Sequence, residues 1–285
     1  MASLGRRRAA ELDPAGRTPG RLAAHYAIER ELADRVRNST HEERAELYSV
    51  VYDELFARVP DHPQLTLKES PETRRQRLAS QVRLVDDFLD RDATFLEIGA
   101  GDCALSLAVA PTVAEVYAVE VSETIAATAE TPANFTLLIS DGRSIPVPAG
   151  SVTLAYSNQL MEHLHPDDAG EQVRAIAAAL EPGGAYLCLT PHRAFGPSDI
   201  SAFFDEEATG FHLKEYTTAE LSQLFRRAGF RTVRVVARVA GRRFSLPAPP
   251  FILIERLVMR LPARVRRNRY VRKLVSPGGG VVGLR

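Results

Sequence analysis

Two periodicities divide this chain of 285 residues. From about Leu22 to Val59, apolar residues recur every three or four positions, which predicts helical structure, and a further helix is expected from about Glu72 to Leu89. The centre alternates short apolar runs with helical stretches. The predicted strands are Thr94–Ile98, Val116–Glu120, Phe135–Ile139, Val152–Tyr156 and Ala185–Leu189. The predicted helices between them are Cys103–Ala110, Ser122–Ala129 and Asp167–Leu180.

This alternation of strands and helices predicts an α/β fold with a Rossmann-like, doubly wound and mostly parallel sheet. Thr217–Glu220 has the form of a capping box, which predicts a helix that ends near Gly229. After it, Arg231–Val239 and Arg242–Leu246 predict an antiparallel hairpin. We therefore expect a seven-stranded sheet with a C-terminal antiparallel hairpin, preceded by an N-terminal helical region.

The same patterns predict four parts of the chain. Residues 1–21 mix Arg, Ala, Pro and Gly without periodicity and are expected to form a disordered arm. Residues 22–90 form the helical region, which could cover a site as a lid. Residues 91–247 contain the sheet, and residues 248–285 form a basic amphipathic tail. Within the tail, Gly278–Gly280 is expected to be a loose end.

The formal net charge is zero, but it is unevenly distributed. From Arg242 to Arg285 there are eleven Lys or Arg residues and one acid, which predicts a basic appendage on a mildly acidic body. Apolar residues next to these arginines are typical of a helix on an anionic lipid surface. A lid, an oligomer contact or a solvated end would fit as well. Nucleic acid is not expected as a partner, because the arginines lack interleaved aromatic residues apart from Tyr270.

Cysteine usage and hydropathy narrow the class of protein. Cys103 and Cys188 have no CxxC neighbour, so the sequence predicts neither a zinc site nor a disulfide framework, and no metal is expected. No apolar run reaches the ~20 residues that span a bilayer. Arg6–Arg8 is not followed by the hydrophobic segment of a secretory signal. We expect a cytoplasmic protein, with peripheral membrane contact through the tail left open.

The run Phe95–Cys103 carries the most specific chemistry. It predicts a buried strand that ends in an acid, Glu97, followed by a turn with two glycines. Glu120, twenty-one residues beyond Gly99, ends the second strand, where a carboxylate can bind ribose hydroxyls. The turn also fits GxGxxA, so an NAD(P)-dependent oxidoreductase is an alternative. The acid at 97 and a further acid, Asp141, after the third strand favour a different nucleoside.

With these motifs, the chain resembles class I S-adenosylmethionine-dependent methyltransferases over roughly residues 91–246, in the broad small-molecule group that includes quinone-biosynthesis enzymes. The resemblance implies S-adenosyl-L-methionine as the cofactor. It implies that the glycine loop binds the methionine part, the acid after the second strand the ribose, and the acid after the third strand the adenine. The implied cofactor-binding residues are Glu97, Gly99, Ala100, Gly101, Glu120, Val121, Asp141, Gly142 and Asn158. Cys103 stands where relatives usually have a third glycine.

Methyl transfer to a hydroxyl or an acidic carbon also needs a base, and imidazole titrates near neutral pH. The candidates are His163, in a Glu-His element that resembles relatives, His192 and His212; each could instead be structural. His25 and His62 are assigned to packing or solvation. We expect a small organic acceptor, with O-methylation slightly favoured over N- or C-methylation. A catalytically silent fold that acts as a membrane- or partner-binding module is a second alternative. The sequence does not predict the oligomeric state.

Overall fold

The computed structural model describes residues 13, 15–67, 69–121, 131–239 and 242–285. The predicted helix Ser122–Ala129 and most of the expected arm therefore lie outside the described residues. Because no helix within these ranges combines enough length with enough apolar character, none of them could cross a bilayer.

The described residues of the N-terminal region contain four α-helices: α1 (Pro19–Arg37), α2 (His41–Arg58), α3 (Pro63–Thr66) and α4 (Pro71–Val85). The apolar period from Leu22 to Val59 is divided between α1 and α2. The division falls at Thr40, whose hydroxyl accepts from the Glu43 N–H while the Glu43 carboxylate accepts from the Thr40 N–H, a complete capping box. Pro71 begins α4 at a position that tolerates the missing N–H.

The sheet has eight strands in the order β3-β2-β1-β4-β5-β8-β6-β7. The strands are β1 (Thr94–Ile98), β2 (Glu115–Glu120), β3 (Phe135–Ile139), β4 (Val152–Asn158), β5 (Leu180–Leu189), β6 (Thr232–Val239), β7 (Arg242–Pro247) and β8 (Gly280–Leu284). Strands β1 to β5 are parallel. Strand β8 is antiparallel to both β5 and β6, and β6 pairs with β7 as the predicted hairpin. The doubly wound α/β architecture is confirmed.

The expected number of strands was wrong, because the glycine-rich end of the tail forms β8 in the interior of the sheet. A Cβ on Gly283 would lie 2.5 Å from the ring of Phe225 and 2.7 Å from that of Phe230. A Cβ on Gly280 would collide with the carbonyl oxygen of Cys188 on β5. These glycines therefore permit close packing, and they are not the mark of a loose end.

The described residues after β1 contain six further α-helices: α5 (Ala104–Val109), α6 (Pro166–Ala179), α7 (Thr218–Arg227), α8 (Ala248–Val258), α9 (Ala263–Arg266) and α10 (Arg269–Val275). Two apolar cores cover the two faces of the sheet. One contains residues of α1, α2, α6 and α7, and the other contains residues of α4 and α5. Because β1 to β5 are parallel, their carboxyl ends lie along one edge, where ligands of such sheets bind.

Candidate active site

The loop after β1 exposes its backbone at this edge. Gly99, Gly101 and Cys103 have φ angles of 68°, 53° and 55°, in the left-handed region that favours glycine. The Gly99 N–H donates to the Val119 carbonyl at 2.9 Å, which fixes the loop against β2. A Cβ on Gly101 would have no atom of the described residues within 4 Å. The space beside Gly101 is thus open for the close approach of a ligand.

Two buried carboxylates hold this loop. Glu120, the last residue of β2, accepts from the Gly101 N–H at 2.8 Å with one oxygen and from the Val121 N–H at 2.7 Å with the other. Glu97 accepts from the N–H and the hydroxyl of Ser106 at 3.0 and 2.6 Å. Burial raises the pKa of Glu97 to about 7, and the hydrogen bonds from Ser106 offset only part of this effect.

Asp141 and Gly142 follow β3 at the same edge. Burial would raise the pKa of Asp141, but hydrogen bonds from the backbone and hydroxyl of Ser144 and from Arg143 outweigh it and hold this pKa well below its usual range. Gly142 has a φ of 82°, and a Cβ there would lie 3.1 Å from the ring of Tyr48 on α2. The N-terminal helices therefore reach the end of β3.

A cavity of about 560 Å³ lies between α1, α2, the turn after β4 and the segment 198–212. Its apolar lining includes Tyr52, Leu55, Phe203 and Phe211. Its ionisable lining residues are Asp13, Arg17, His25, Glu29, His62, His163, Asp199 and His212. This combination of aromatic walls and converging polar groups is typical of a small-molecule site.

The loop after β4 connects the cavity with the glycine loop. Asn158, half-buried, is the last residue of β4, and Gln159 lines the cavity with a φ of 57°, which is rare for a residue other than glycine. The next residue, Leu160, packs on the glycine loop, 3.1 Å from the position of a Cβ on Gly99. Two successive residues of this loop, Gln159 and Leu160, thus contact the cavity and the glycine loop, respectively.

His163 and His212 lie together, with ring centroids 5.0 Å apart. The Nδ1 atom of His163 is 3.0 Å from the Phe211 carbonyl and 2.9 Å from the Tyr52 hydroxyl. Desolvation and the neighbouring His212 lower the pKa of His163 to about 4. His212 Nδ1 lies 2.8 Å from Glu215 Oε1. Desolvation lowers the pKa of His212, but this carboxylate and the charge of Asp199 raise it by more.

The structure places His192 away from that pair. Its Nε2 atom lies 3.0 Å from the Glu255 carboxylate on α8, and its Nδ1 accepts from the Ala194 N–H at 3.1 Å. Glu255 also accepts from the Thr218 N–H, at 2.6 Å. His192 therefore helps to join the tail to the start of α7, and a catalytic role for it stays a prediction.

Sequence reasoning missed a second histidine cluster that lines the cavity. His25 Nδ1 accepts from Arg17 at 2.7 Å, and its Nε2 donates to Glu29 at 2.9 Å. His62 packs against it, with ring centroids 4.8 Å apart. The spacing of His25 and Glu29, four residues apart on one helix, was the available signal. His62 lies beyond α2 in the sequence, and no pattern linked it to α1.

A family described as a methyltransferase domain matches residues 71–235, which is more than half of the chain. The chain therefore belongs to this methyltransferase-domain family. Its mostly parallel, doubly wound sheet is that of the class I S-adenosylmethionine-dependent methyltransferases.

One protein is similar to this chain in sequence, and two solved structures, among others, are similar to it in fold. Over 87 residues the chain is 36% identical to a probable S-adenosylmethionine-dependent methyltransferase from Mycolicibacterium smegmatis, a match that covers 30% of this chain and 31% of that protein. The match thus spans less than a third of the relative's length. A chain of the complex between the Haloferax volcanii Trm112 methyltransferase activator and the putative methyltransferase has a TM-score of 0.50, with 17% identity over 74% of this chain and 90% of that chain. Phosphoethanolamine N-methyltransferase 1 from Haemonchus contortus, with phosphoethanolamine and S-adenosylhomocysteine, also has a TM-score of 0.50, with 17% identity over 72% and 43%.

Proposed function

We propose that the protein transfers a methyl group from S-adenosylmethionine to a small organic acceptor that binds in the 560 Å³ cavity. The loop after β4 carries this proposal. Leu160 contacts the glycine loop, where the donor would bind, while the neighbouring Gln159 lines the cavity. Donor and acceptor would therefore meet across a single loop, and an enzyme that holds two reactants in this way removes much of the entropic barrier to their reaction.

The residues at the carboxyl edge fit this cofactor. The open space beside Gly101 leaves room for the methionine part, and Glu120, which accepts from the Gly101 N–H, would also accept from ribose hydroxyls. Asp141 and Gly142 would border the adenine, with Ala100, Val121 and Asn158 nearby. When bound, S-adenosylmethionine supplies a methyl group on a sulfonium, which is displaced in line. The protein supplies position, exclusion of water and, for some acceptors, removal of a proton.

We favour an oxygen acceptor, because a hydroxyl must lose its proton on methylation and the cavity offers imidazoles to take it. His163 and His212 are the candidates that line the cavity. Helices α1 and α2 supply the opposite wall through His25, Glu29 and Tyr52, so residues 22–90 would act as the covering region expected from the sequence.

Calorimetric titration with S-adenosylhomocysteine tests the cofactor site. We expect wild-type protein to bind, and Glu120→Gln to weaken binding by about 10- to 100-fold, because a hydrogen bond to a charged group contributes about 1.5–3 kcal/mol. Glu115→Gln, at the opposite end of β2, is the matched control and should bind like the wild type. Binding of NADH in place of S-adenosylhomocysteine would instead favour the oxidoreductase.

A screen of hydroxyl, amine and carbon acceptors with mass detection of the added methyl group tests the acceptor class. Exclusive methylation of amines would contradict the preference for oxygen. Replacing Phe211 by a smaller residue should change KM for the acceptor while leaving the affinity for S-adenosylhomocysteine unchanged, because Phe211 lines the cavity.

Membrane contact by the tail stays a prediction. Leu253 and Leu257 on α8 are 61% and 57% exposed, next to Arg256 and Arg260. Co-sedimentation with anionic vesicles should compare the full chain with the double variant Leu253→Gln/Leu257→Gln. Deleting the whole tail would not be a clean test, because it would also remove β8 from the sheet.

A further inference from the structure

One carboxylate near the cavity is unusually poor in partners. Glu162, in the turn after β4, has no exposed surface. Its Oε2 accepts from the Thr190 hydroxyl at 2.9 Å, whereas its Oε1 has no hydrogen-bond partner among the described residues. A buried carboxylate oxygen without a partner is destabilising, and Oε1 therefore remains available to a ligand.

Two imidazoles lie next to this carboxylate. One potential ligand atom each from Glu162, His163 and His212 can be chosen so that all three lie within 4.8 Å of one another. A small movement of these side chains would bring the three atoms around a single ion. The Glu162 carbonyl also accepts from the Lys214 N–H at 3.2 Å, which fixes the segment that carries His212 against the turn that carries His163.

The outer hydrogen bonds of both histidines suit metal binding. The Phe211 carbonyl can only accept, so Nδ1 of His163 carries the proton and Nε2 keeps its lone pair. Nδ1 of His212 donates to Glu215, which again leaves Nε2 available. Imidazoles that bind a metal through one nitrogen commonly donate the other N–H to a carbonyl or a carboxylate.

We propose that Glu162, His163 and His212 bind a divalent first-row transition-metal ion such as Zn²⁺. Two imidazoles and one carboxylate are a common ligand set for such ions, and three protein ligands leave a coordination position open. Because His163 and His212 line the cavity, the ion would border the space for the acceptor. If the proposed function holds, the ion would bind an acceptor hydroxyl and lower its pKa, so that the proton could pass to water and neither imidazole would have to act as the base.

The second histidine cluster is a poorer site for a cation. Ligand atoms of His25, Glu29 and His62 also lie close together. Both nitrogens of His25 are already engaged, however, and the donor to one of them is the guanidinium of Arg17 at 2.7 Å. This positive charge disfavours a cation. Nδ1 of His62 is engaged as well, because it accepts from the Gln64 N–H at 3.2 Å at the start of α3.

Titration of the metal-free full chain with Zn²⁺ by calorimetry, without any methyl donor, tests the site. We expect one ion per chain. His212→Ala and Glu162→Gln should weaken binding by at least about 100-fold, and Glu215→Gln by about 10- to 100-fold, the range found when an outer hydrogen bond to a ligand is lost. His62→Ala, which alters the other cluster, is the matched control and should bind like the wild type.

Two results would overturn the proposal: wild-type protein that binds no Zn²⁺, or loss of the ion in His62→Ala but not in His212→Ala. Co²⁺ absorption by wild-type protein gives a measurement that does not depend on the folding of any variant. Visible bands of imidazole-bound Co²⁺ support the site, and their absence contradicts it. The Zn²⁺ titration contains no methyl donor, so its result does not depend on cofactor binding. If the protein binds no Zn²⁺, the proposed function can still be tested separately by S-adenosylhomocysteine binding.

Discussion

The Arg44 guanidinium on α2 donates two hydrogen bonds, at 2.7 and 2.9 Å, to the carboxylate of Asp168 on α6, which has no exposed surface. The Tyr48 hydroxyl donates a third to the same carboxylate, at 2.7 Å. Helix α6 begins just after the loop of β4 that joins the glycine loop to the cavity. The Arg44–Asp168 pair therefore fixes α2, which forms one wall of the cavity, to α6, the helix that follows the loop after β4.

Replacing Arg44 by Ala should lower the free energy of unfolding by about 3–5 kcal/mol, because it leaves the Asp168 charge buried without its partner. Urea denaturation followed by circular dichroism measures this. The matched control is Arg35→Ala, which breaks a partly exposed pair with Glu54 at 2.7 Å and should lose less than about 1 kcal/mol. Equal losses in the two variants would contradict the role given to Asp168.

Glu97 should make stability depend on pH. Its pKa rises from 4.5 to about 7 on folding, so the folded state binds more protons between these values. The contribution of this carboxyl to the free energy of unfolding is therefore complete below its unfolded pKa and is lost as the pH rises through its folded pKa. The loss approaches about 3 kcal/mol. Glu97→Gln keeps an oxygen that can accept from Ser106 and should be more stable than the wild type above about pH 7. Parallel stability curves for the two proteins, measured by urea denaturation across this range, would refute the expectation.

Gly283→Ala should destabilise the protein by about 1–3 kcal/mol or more, because the added methyl would press on the rings of Phe225 and Phe230. Gly20→Ala is the control: it lies on α1, where a Cβ would have no described neighbour within 4 Å, and Ala is the better helix former. Thermal unfolding should show a lower Tm for Gly283→Ala and an unchanged or higher Tm for Gly20→Ala. A normal Tm for Gly283→Ala would mean that β8 is not packed as described.

His192→Ala should lower the free energy of unfolding by about 1–3 kcal/mol, because Glu255 on α8 loses a hydrogen bond inside the protein. The affinity for S-adenosylhomocysteine should not change. Arg193→Ala removes a partly exposed pair with Glu220 and serves as the control, with a loss below about 1 kcal/mol. If His192 were instead the base, the variant would lose turnover out of proportion to its loss of stability.

The parallel part of the sheet could be predicted from the sequence because its strands are short apolar runs between clear helices. Strands β1 and β3 have the predicted bounds, and β5 begins five residues earlier than predicted, at Leu180. Strand β8 was missed because glycine weakens the strand pattern. The need for glycine at 280 and 283 arises only from residues distant in sequence, such as Cys188 and Phe225.

The candidate site, too, could be predicted from the sequence only in part. Glycines and acids at the ends of consecutive strands lie together by topology, so Glu97, Glu120 and Asp141 could be placed at one edge in advance. The cavity could not, because its wall depends on how α1 and α2 pack across the sheet. His25 and His62 look like ordinary residues of a helical region, and the environment of Glu162 is set by Thr190 and His212, which belong to other segments.

Strand β8 lies between β5 and β6, yet it follows β7 by more than thirty residues in the chain. During synthesis, the β6–β7 hairpin therefore emerges from the ribosome before the strand that will connect it to the rest of the sheet. Until residues 280–284 arrive, β5 and the hairpin both present unpaired edges, the kind of surface that invites aggregation. The strand order thus leaves the nascent chain with two open sheet edges until its last strand has been made.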